Sequence, residues 1–341
     1  MVKIGAAAAG LAALVLAGPG PARAEPPELQ WPVDCRLGED CWVVHHVDAV
    51  PGPEAADFRC GRLTYDDHQG TDIALRDRAA MFGRIGVLAA AAGTVVGTRN
   101  SALDHLGDSA ALQTSRDQGE ECGNGVAIDH GDGWLTQYCH MKSGSVLVSK
   151  GTEVQPGDLL GHVGQSGLAQ FPHLHLSVRH QGRNIDPFTL LPMGSGCEAS
   201  PEGSLWSAAV REMLPAEDAP IIVAAGFRPS LPQYEALLED SASPNSLSVH
   251  SPALTFWAMA YGLRENDRWE FVIRDPDGRV FHRQEFAHPK DQIRAMRVIG
   301  RRNSDRILRP GVYEGQVSVI RRNSNGEAEP VVKTVRVEIA R

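Results

Sequence analysis

At 341 residues the chain has room for two domains, each with its own core, and its 42% hydrophobic and 22% charged residues exclude wholesale disorder. The 33 Lys and Arg against 42 Asp and Glu give a formal net charge of −9. No cluster of basic residues offsets it, which excludes nucleic acid and other polyanions as partners.

Residues 1–24, MVKIGAAAAGLAALVLAGPGPARA, combine Lys3, an apolar run from Ile4 to Ala17, a Gly/Pro break and Ala22-Arg23-Ala24. This is the pattern of a secretory signal with an A-x-A cleavage site. A mature chain starting near Glu25 would be more negative still, having lost Lys3 and Arg23. No cysteine stands at the cleavage site to carry a lipid, so the periplasm or the medium is the expected location. No later stretch approaches about 18 uninterrupted apolar residues, so no stable membrane insertion is expected after cleavage.

Six cysteines beyond the signal fit an oxidising compartment. Their spacing favours Cys35 with Cys41 around a small loop, Cys122 with Cys139 across a hairpin, and Cys60 with Cys197 near the two ends of the first domain.

Residues 25–59, rich in Pro and polar residues around the apolar stretch CWVVHHVD, read as an N-terminal strap. From 60 to 197, short apolar runs alternate with turns of Gly, Pro, Asn and Asp, the pattern of an antiparallel all-β domain. Residues 99–122 interrupt it with a polar insertion too long for a hairpin turn, read as a long loop without a core of its own. Residues 198–218 form a linker, within which LWSAAVREML predicts a short helix. From 219 to 341 alternating strands, with Asp275-Pro276-Asp277-Gly278 as a turn, predict an immunoglobulin-like β-sandwich. Its Trp257, Tyr261 and Trp269 could stack on a saccharide, but the unbroken run LTFWAMAYGL favours their use as core.

Of the thirteen histidines, His45, His46, His105, His180, His250, His282 and His288 lie in polar or irregular surroundings and read as surface or hydrogen-bonded residues. His130 and His162, beside turns, read as structural. In YDDHQGTDIAL, Gly70, Thr71 and Ile73 disfavour a helix, so His68 and Asp72 belong to a loop entering a strand, both turned inward. In FPHLHLSVRH, strand alternation puts His173 and His175 on one face. A catalytic zinc takes three protein ligands and keeps one position open for water. His68, Asp72 and one histidine of the pair supply that count. GQSGLA around Ser166 is not G-x-S-x-G, which sets a serine hydrolase aside.

HQGTD, GNGVAIDHGDGWLTQYCH, VQPGDLLGHVGQSG and PHLHLSVRHQGRNIDP follow one another between about Arg62 and Pro187. Together they resemble the catalytic domain of the lysostaphin-like (LytM-type) zinc metallopeptidases, which cut peptide cross-links of bacterial peptidoglycan. The resemblance implies an all-β, LytM-type antiparallel sheet with one Zn2+ on His68, Asp72 and His175. It implies His140 and His173 as catalytic residues beside the open metal position. The chain has no HExxH glutamate, so a histidine near neutrality is the expected proton carrier.

Two features depart from the family's pattern. Phe171 precedes the Pro of PHLH, where a small residue or Gly is common, and the 99–122 insertion has no counterpart. Both are expected to border the substrate groove. The expected activity is that of a secreted zinc endopeptidase acting on peptidoglycan peptides, with a protein activator as a conceivable partner. The alternative within the family is a regulatory protein that activates a cell-wall amidase without cutting. Such members lack ligands that this chain retains.

Overall fold

The structure is a computed structural model that describes residues 25–106, 108–214, 219–303, 308–322 and 328–341. The secretory signal expected at 1–24 lies outside the described residues, as does the end of the expected 198–218 linker.

The N-terminal half contains β1 (Cys41–His45), β2 (Thr71–Leu75), α1 (Arg78–Phe82), β3 (Gly86–Leu88), β4 (Gly93–Arg99), α2 (Ser109–Asp117), β5 (Asn124–Gly131), β6 (Trp134–Met141), β7 (Glu153–Val154), β8 (Leu159–His162), β9 (His173–His180) and β10 (Arg183–Ile185). Seven of the strands line up as β1-β2-β9-β6-β5-β4-β7, with β10 added to β9, and all the pairings are antiparallel. Strands β3 and β8 form a separate pair.

Period-two alternation sorts the side chains of the large sheet. Val43, Ile73, Leu75, Val126, Ile128, Tyr138, Leu174, Leu176 and Val178 turn to one face and are buried there in a single core. Asp72, Ala74, His173 and His175 therefore occupy the other face, because they stand at the alternate positions of β2 and β9. Register completes the arrangement, setting Asp72 opposite His175 and Ala74 opposite His173.

After α3 (Ala208–Met213) come β11 (Ile221–Arg228), α4 (Tyr234–Glu239), β12 (Ser246–Ser248), β13 (Ala253–Leu263), β14 (Arg268–Arg274), β15 (Val280–Ala287), β16 (Gln292–Arg302), β17 (Gly311–Arg322) and β18 (Ala328–Ala340). A three-stranded sheet, β11-β13-β16, faces a five-stranded one, β12-β18-β17-β14-β15. Phe227, Phe256, Trp269, Phe271, Tyr313 and Val317 fill the space between them, so both halves of the chain are β-structures. Trp257 and Trp269 are fully buried and Tyr261 nearly so, which makes them core and removes the saccharide platform.

A third apolar cluster joins the halves. Trp42, Val44, Leu63 and Ala74 pack against Val223, Leu237, Trp257, Met259 and Tyr261. The three-stranded sheet of the sandwich thus covers part of the face that carries the histidines.

The 99–122 insertion differs from the expected loop by containing α2. Asp108 caps that helix by accepting from the amides of Ala110 and Ala111, and Ala-Ala-Leu-Gln are good helix formers. The disulfides Cys35–Cys41, Cys60–Cys197 and Cys122–Cys139 are all formed. No helix among the described residues is long and apolar enough to cross a membrane.

Candidate active site

The loop residue His68 and the strand residues Asp72 and His175 meet at one point. His68 Nε2 lies 3.1 Å from Asp72 Oδ1, His175 Nδ1 lies 2.8 Å from the same oxygen, and the two ring nitrogens are 3.2 Å apart. One donor atom of each residue lies within 4.8 Å of the others, as a bound metal ion would require. Gly70, between His68 and Asp72, makes room for this approach. A Cβ there would fall 2.6 Å from His175 Nε2 and from the carbonyl of Leu176.

Two imidazoles and one carboxylate, all but His175 buried, form the donor set of a borderline cation such as Zn2+. A second cluster, Cys35, Asp40 and Cys41, also brings candidate ligands together. Its cysteines are joined in a disulfide and offer no thiolate.

The electrostatics follow from burial of the set. Burial acts against the Asp72 carboxylate, but His68, His173, His175 and His45 overcome it and hold its pKa well below the usual carboxylate range. Burial likewise opposes charge on His68, yet the charge and hydrogen bond of Asp72, with the His46 carbonyl, raise its pKa. His68 Nδ1 faces that carbonyl at 2.6 Å, which fixes the tautomer: Nδ1 donates and Nε2 is left toward Asp72.

His140 and His173 sit beside this group, their rings 4.6 Å apart, and His140 lies 5.8 Å from the ring of His175. Each is oriented by a backbone carbonyl. His140 Nδ1 donates to Ser166 O at 2.9 Å, and His173 Nδ1 donates to Phe171 O at 2.8 Å. Both rings therefore keep Nε2 unprotonated, that of His173 lying 3.6 Å from Asp72 Oδ1. Burial, reinforced by neighbouring histidines, lowers the His140 pKa well below its ordinary value, and burial pushes His173 down to about 4.

Strand alternation alone would not bring His140 here. Cys139 pairs with His175 on the histidine face, so the next residue would turn to the core. His140 instead has φ of 62°, a left-handed conformation rare outside glycine, which breaks the alternation. The Cys122–Cys139 disulfide and the bond from His140 N to Cys122 O, 2.8 Å, hold the segment in that shape.

All five residues singled out in the sequence are thus brought together. Sequence reasoning missed His45, which is buried and places Nδ1 2.8 Å from Asp72 Oδ2. It was read with His46 as a surface or hydrogen-bonded residue, because the pair carries no motif. His130 is structural, bonding Ala92 O and Thr136 Oγ1. Ser166 is buried, its hydroxyl donating to Met141 O, which is no nucleophile's environment.

The Phe171 ring lies tilted 4.7 Å from that of His173 and meets Tyr261 edge-on at 5.9 Å, with the Arg294 guanidinium 5.3 Å above it. The residue that departs from the family's pattern is therefore one of the links between the site and the C-terminal sandwich. The insertion touches the site's support too, since Asp104 accepts from the amide of Gln165, next to Ser166.

Comparison with known proteins agrees with this geometry. The model of peptidase family M23 matches residues 66–187. The chain is 36% identical over 74 residues to the peptidoglycan DD-endopeptidase ShyA of Vibrio cholerae, covering 21% of this chain and 17% of that protein. It is 31% identical over 70 residues to the murein hydrolase activator NlpD of Escherichia coli, covering 20% and 18%. The same identity and length hold for the lipoprotein NlpD of Yersinia enterocolitica, covering 20% of this chain and 69% of that one. Apart from that last protein, the chain spans less than a fifth of the length of these relatives. The HxxxD and HxH histidines and aspartate, brought together inside the matched segment, identify the chain as a member of peptidase family M23.

Proposed function

We propose that the protein is a secreted zinc metalloendopeptidase that hydrolyses peptide cross-links of bacterial peptidoglycan, with residues 60–197 as its catalytic unit and 219–341 as an accessory sandwich. The observation that carries this reading is the convergence of His68 Nε2, Asp72 Oδ1 and His175 Nδ1, flanked by two histidines whose Nδ1 atoms are engaged by backbone carbonyls, leaving each Nε2 unprotonated. Both sets are what hydrolysis would use, which favours cutting over a purely activating role.

In this reading His68, Asp72 and His175 hold Zn2+. The ion supplies Lewis acidity, which polarises a scissile carbonyl and brings the pKa of water toward neutrality. His140 and His173, neutral at physiological pH, act at Nε2. One accepts the proton of the attacking water as the new C–O bond forms, and that proton passes to the leaving amine as the C–N bond breaks. The two share these steps jointly. Ser166 O and Phe171 O keep each ring in the tautomer that the proton transfer needs.

The test is hydrolysis of purified peptidoglycan with metal content measured on the same sample, for the wild type and His175→Ala. About one zinc per chain and release of peptide amines, both lost in the variant, support the endopeptidase. Zinc without cutting would favour an activator-dependent enzyme or the amidase-activating alternative. Absence of zinc from the wild type would refute the metal reading.

A further inference from the structure

We propose that His45 is a positioning residue for the candidate metal centre: it fixes the outer oxygen of Asp72 so that Oδ1 alone is presented to the ion. The inference rests on the metal reading above and adds a residue from outside the matched segment 66–187.

The strand geometry is built to deliver this side chain. Trp42 pairs with Ala74 and Val43 with Ile73, each on its proper face. Continued alternation would set Val44 opposite Asp72 and turn His45 into the apolar core. A bulge between Val43 and His45 inserts Val44 as an extra residue, so that His45 becomes the partner of Asp72. Val44 stays with Trp42 in the cluster beneath the sandwich. The extra residue thus exchanges an apolar neighbour of the carboxylate for a hydrogen-bond donor.

The chemistry of the contact has one sense. An ionised carboxylate only accepts, so the 2.8 Å bond to Asp72 Oδ2 takes its proton from His45 Nδ1. His45 Nε2 is then a bare lone pair, and it is buried without a partner. Leaving a buried nitrogen unpaired is unfavourable, so an aliphatic residue would suit this buried strand position better if packing were the only demand. The rings of Tyr65, His68 and Phe171, at 5.4, 5.7 and 6.1 Å, hold the imidazole in place. With Oδ2 engaged, the carboxylate cannot rotate, and Oδ1 remains between His68 Nε2 and His175 Nδ1. Outer partners of this kind set ligand orientation in metal sites and typically account for 10–100-fold in affinity.

The experiment measures zinc affinity of the full chain by competition with a chromophoric chelator, for wild type, His45→Leu and His45→Asn. Leucine fills the volume without a donor, whereas the asparagine amide nitrogen falls near the place of Nδ1. The expected result is zinc binding about 10–100-fold weaker in His45→Leu, and restored to within about threefold of wild type in His45→Asn. Equal affinity in wild type and His45→Leu would overturn the inference, as would an equal loss in both variants. If the wild type itself binds no zinc, the metal reading fails and takes the inference with it. That outcome is recognisable because the loss is not confined to variants. Should His45→Leu not fold, the 15N imidazole spectrum of the wild type decides: a proton on Nδ1 supports the role, and a proton on Nε2 overturns it.

Discussion

The ring of His140 is tied to the backbone of Ser166, with Nδ1 donating to the carbonyl at 2.9 Å while the Ser166 hydroxyl accepts from Asn124 N at 2.9 Å and donates to Met141 O at 2.7 Å. The carbonyl that orients the histidine is therefore itself immobilised from two sides. His140 reaches toward His68, Asp72 and His175 without joining their cluster. His140→Ala should accordingly lower peptidoglycan hydrolysis by roughly 10²–10⁴-fold while zinc content stays at the wild-type level. His68→Ala should abolish both. Parallel assays of released amines and bound metal distinguish the two behaviours, and loss of zinc from His140→Ala would contradict the assignment.

Gly70 gives a sharper steric prediction. Its missing side chain leaves room for His175 Nε2 and Leu176 O, both 2.6 Å from where a Cβ would stand. One of those neighbours is backbone in β9 and cannot move aside without disturbing the pairing of Thr71 with Leu176. Gly70→Ala should therefore cost about 1–3 kcal/mol of stability and weaken zinc binding together. Thermal unfolding with and without chelator would separate the two effects. A variant with unchanged melting and unchanged metal affinity would show that the loop has slack.

Much of this site was legible because short motifs carry their own geometry. HxH needs only strand alternation to place His173 and His175 side by side, and HxGxD needs only a turn before β2. The sandwich was legible from alternation as well, in runs such as VYEGQVSV. His45 was not, because its role depends on a bulge, and a one-residue register shift leaves no trace in CWVVHHVD. Nor did the sequence reveal the left-handed backbone at His140, which is imposed by a disulfide and tertiary contacts. The helix in the insertion was obscured by its short length and polar surroundings, although Asp108 and the two alanines after Ser109 were available as a start signal.

Asp186 makes stability depend on pH in an unusual direction. Its side chain is buried, Oδ1 accepts from Phe188 N at 2.8 Å, and Oδ2 has no partner. Burial pushes its pKa up to about 7; the charge of Asp57 adds to the rise, and the Phe188 amide and Thr189 side chain oppose it. A folded-state pKa above the unfolded one means that the folded chain binds the proton more tightly. The associated stability is then complete below about pH 4 and is lost as pH rises through about 7. Asp186→Asn, which mimics the neutral form, should become more stable than wild type by ~2–4 kcal/mol at pH 8 and show little advantage at pH 4. Denaturant unfolding at the two pH values measures this. An advantage that does not grow with pH would rule out a buried, proton-retaining carboxyl.

The apolar contact between the halves predicts what happens when they are separated. Trp42, Val44 and Ala74 are at most 4% exposed, and Val223, Trp257 and Met259 cover them. Lys333 adds a polar clasp, its ammonium 3.1 Å from Val223 O and above the Trp42 ring. Cutting the chain after Leu214, which keeps Leu205, Trp206 and Val210 in the N-terminal core, would bare this face on an edge strand next to Asp72 and His175. Each large side chain returned to water costs about 1.5–3 kcal/mol. An exposed apolar edge also invites self-association. A fragment of residues 25–214 should therefore melt well below the full chain, bind a hydrophobic dye and tend to aggregate, even with its disulfides formed. Replacing Trp42 and Val44 by polar residues in the fragment should restore solubility. If the unmodified fragment stays monomeric, binds no dye and melts with the full chain, the sandwich is an independent appendage, and its contact with Phe171 has no part in holding the site.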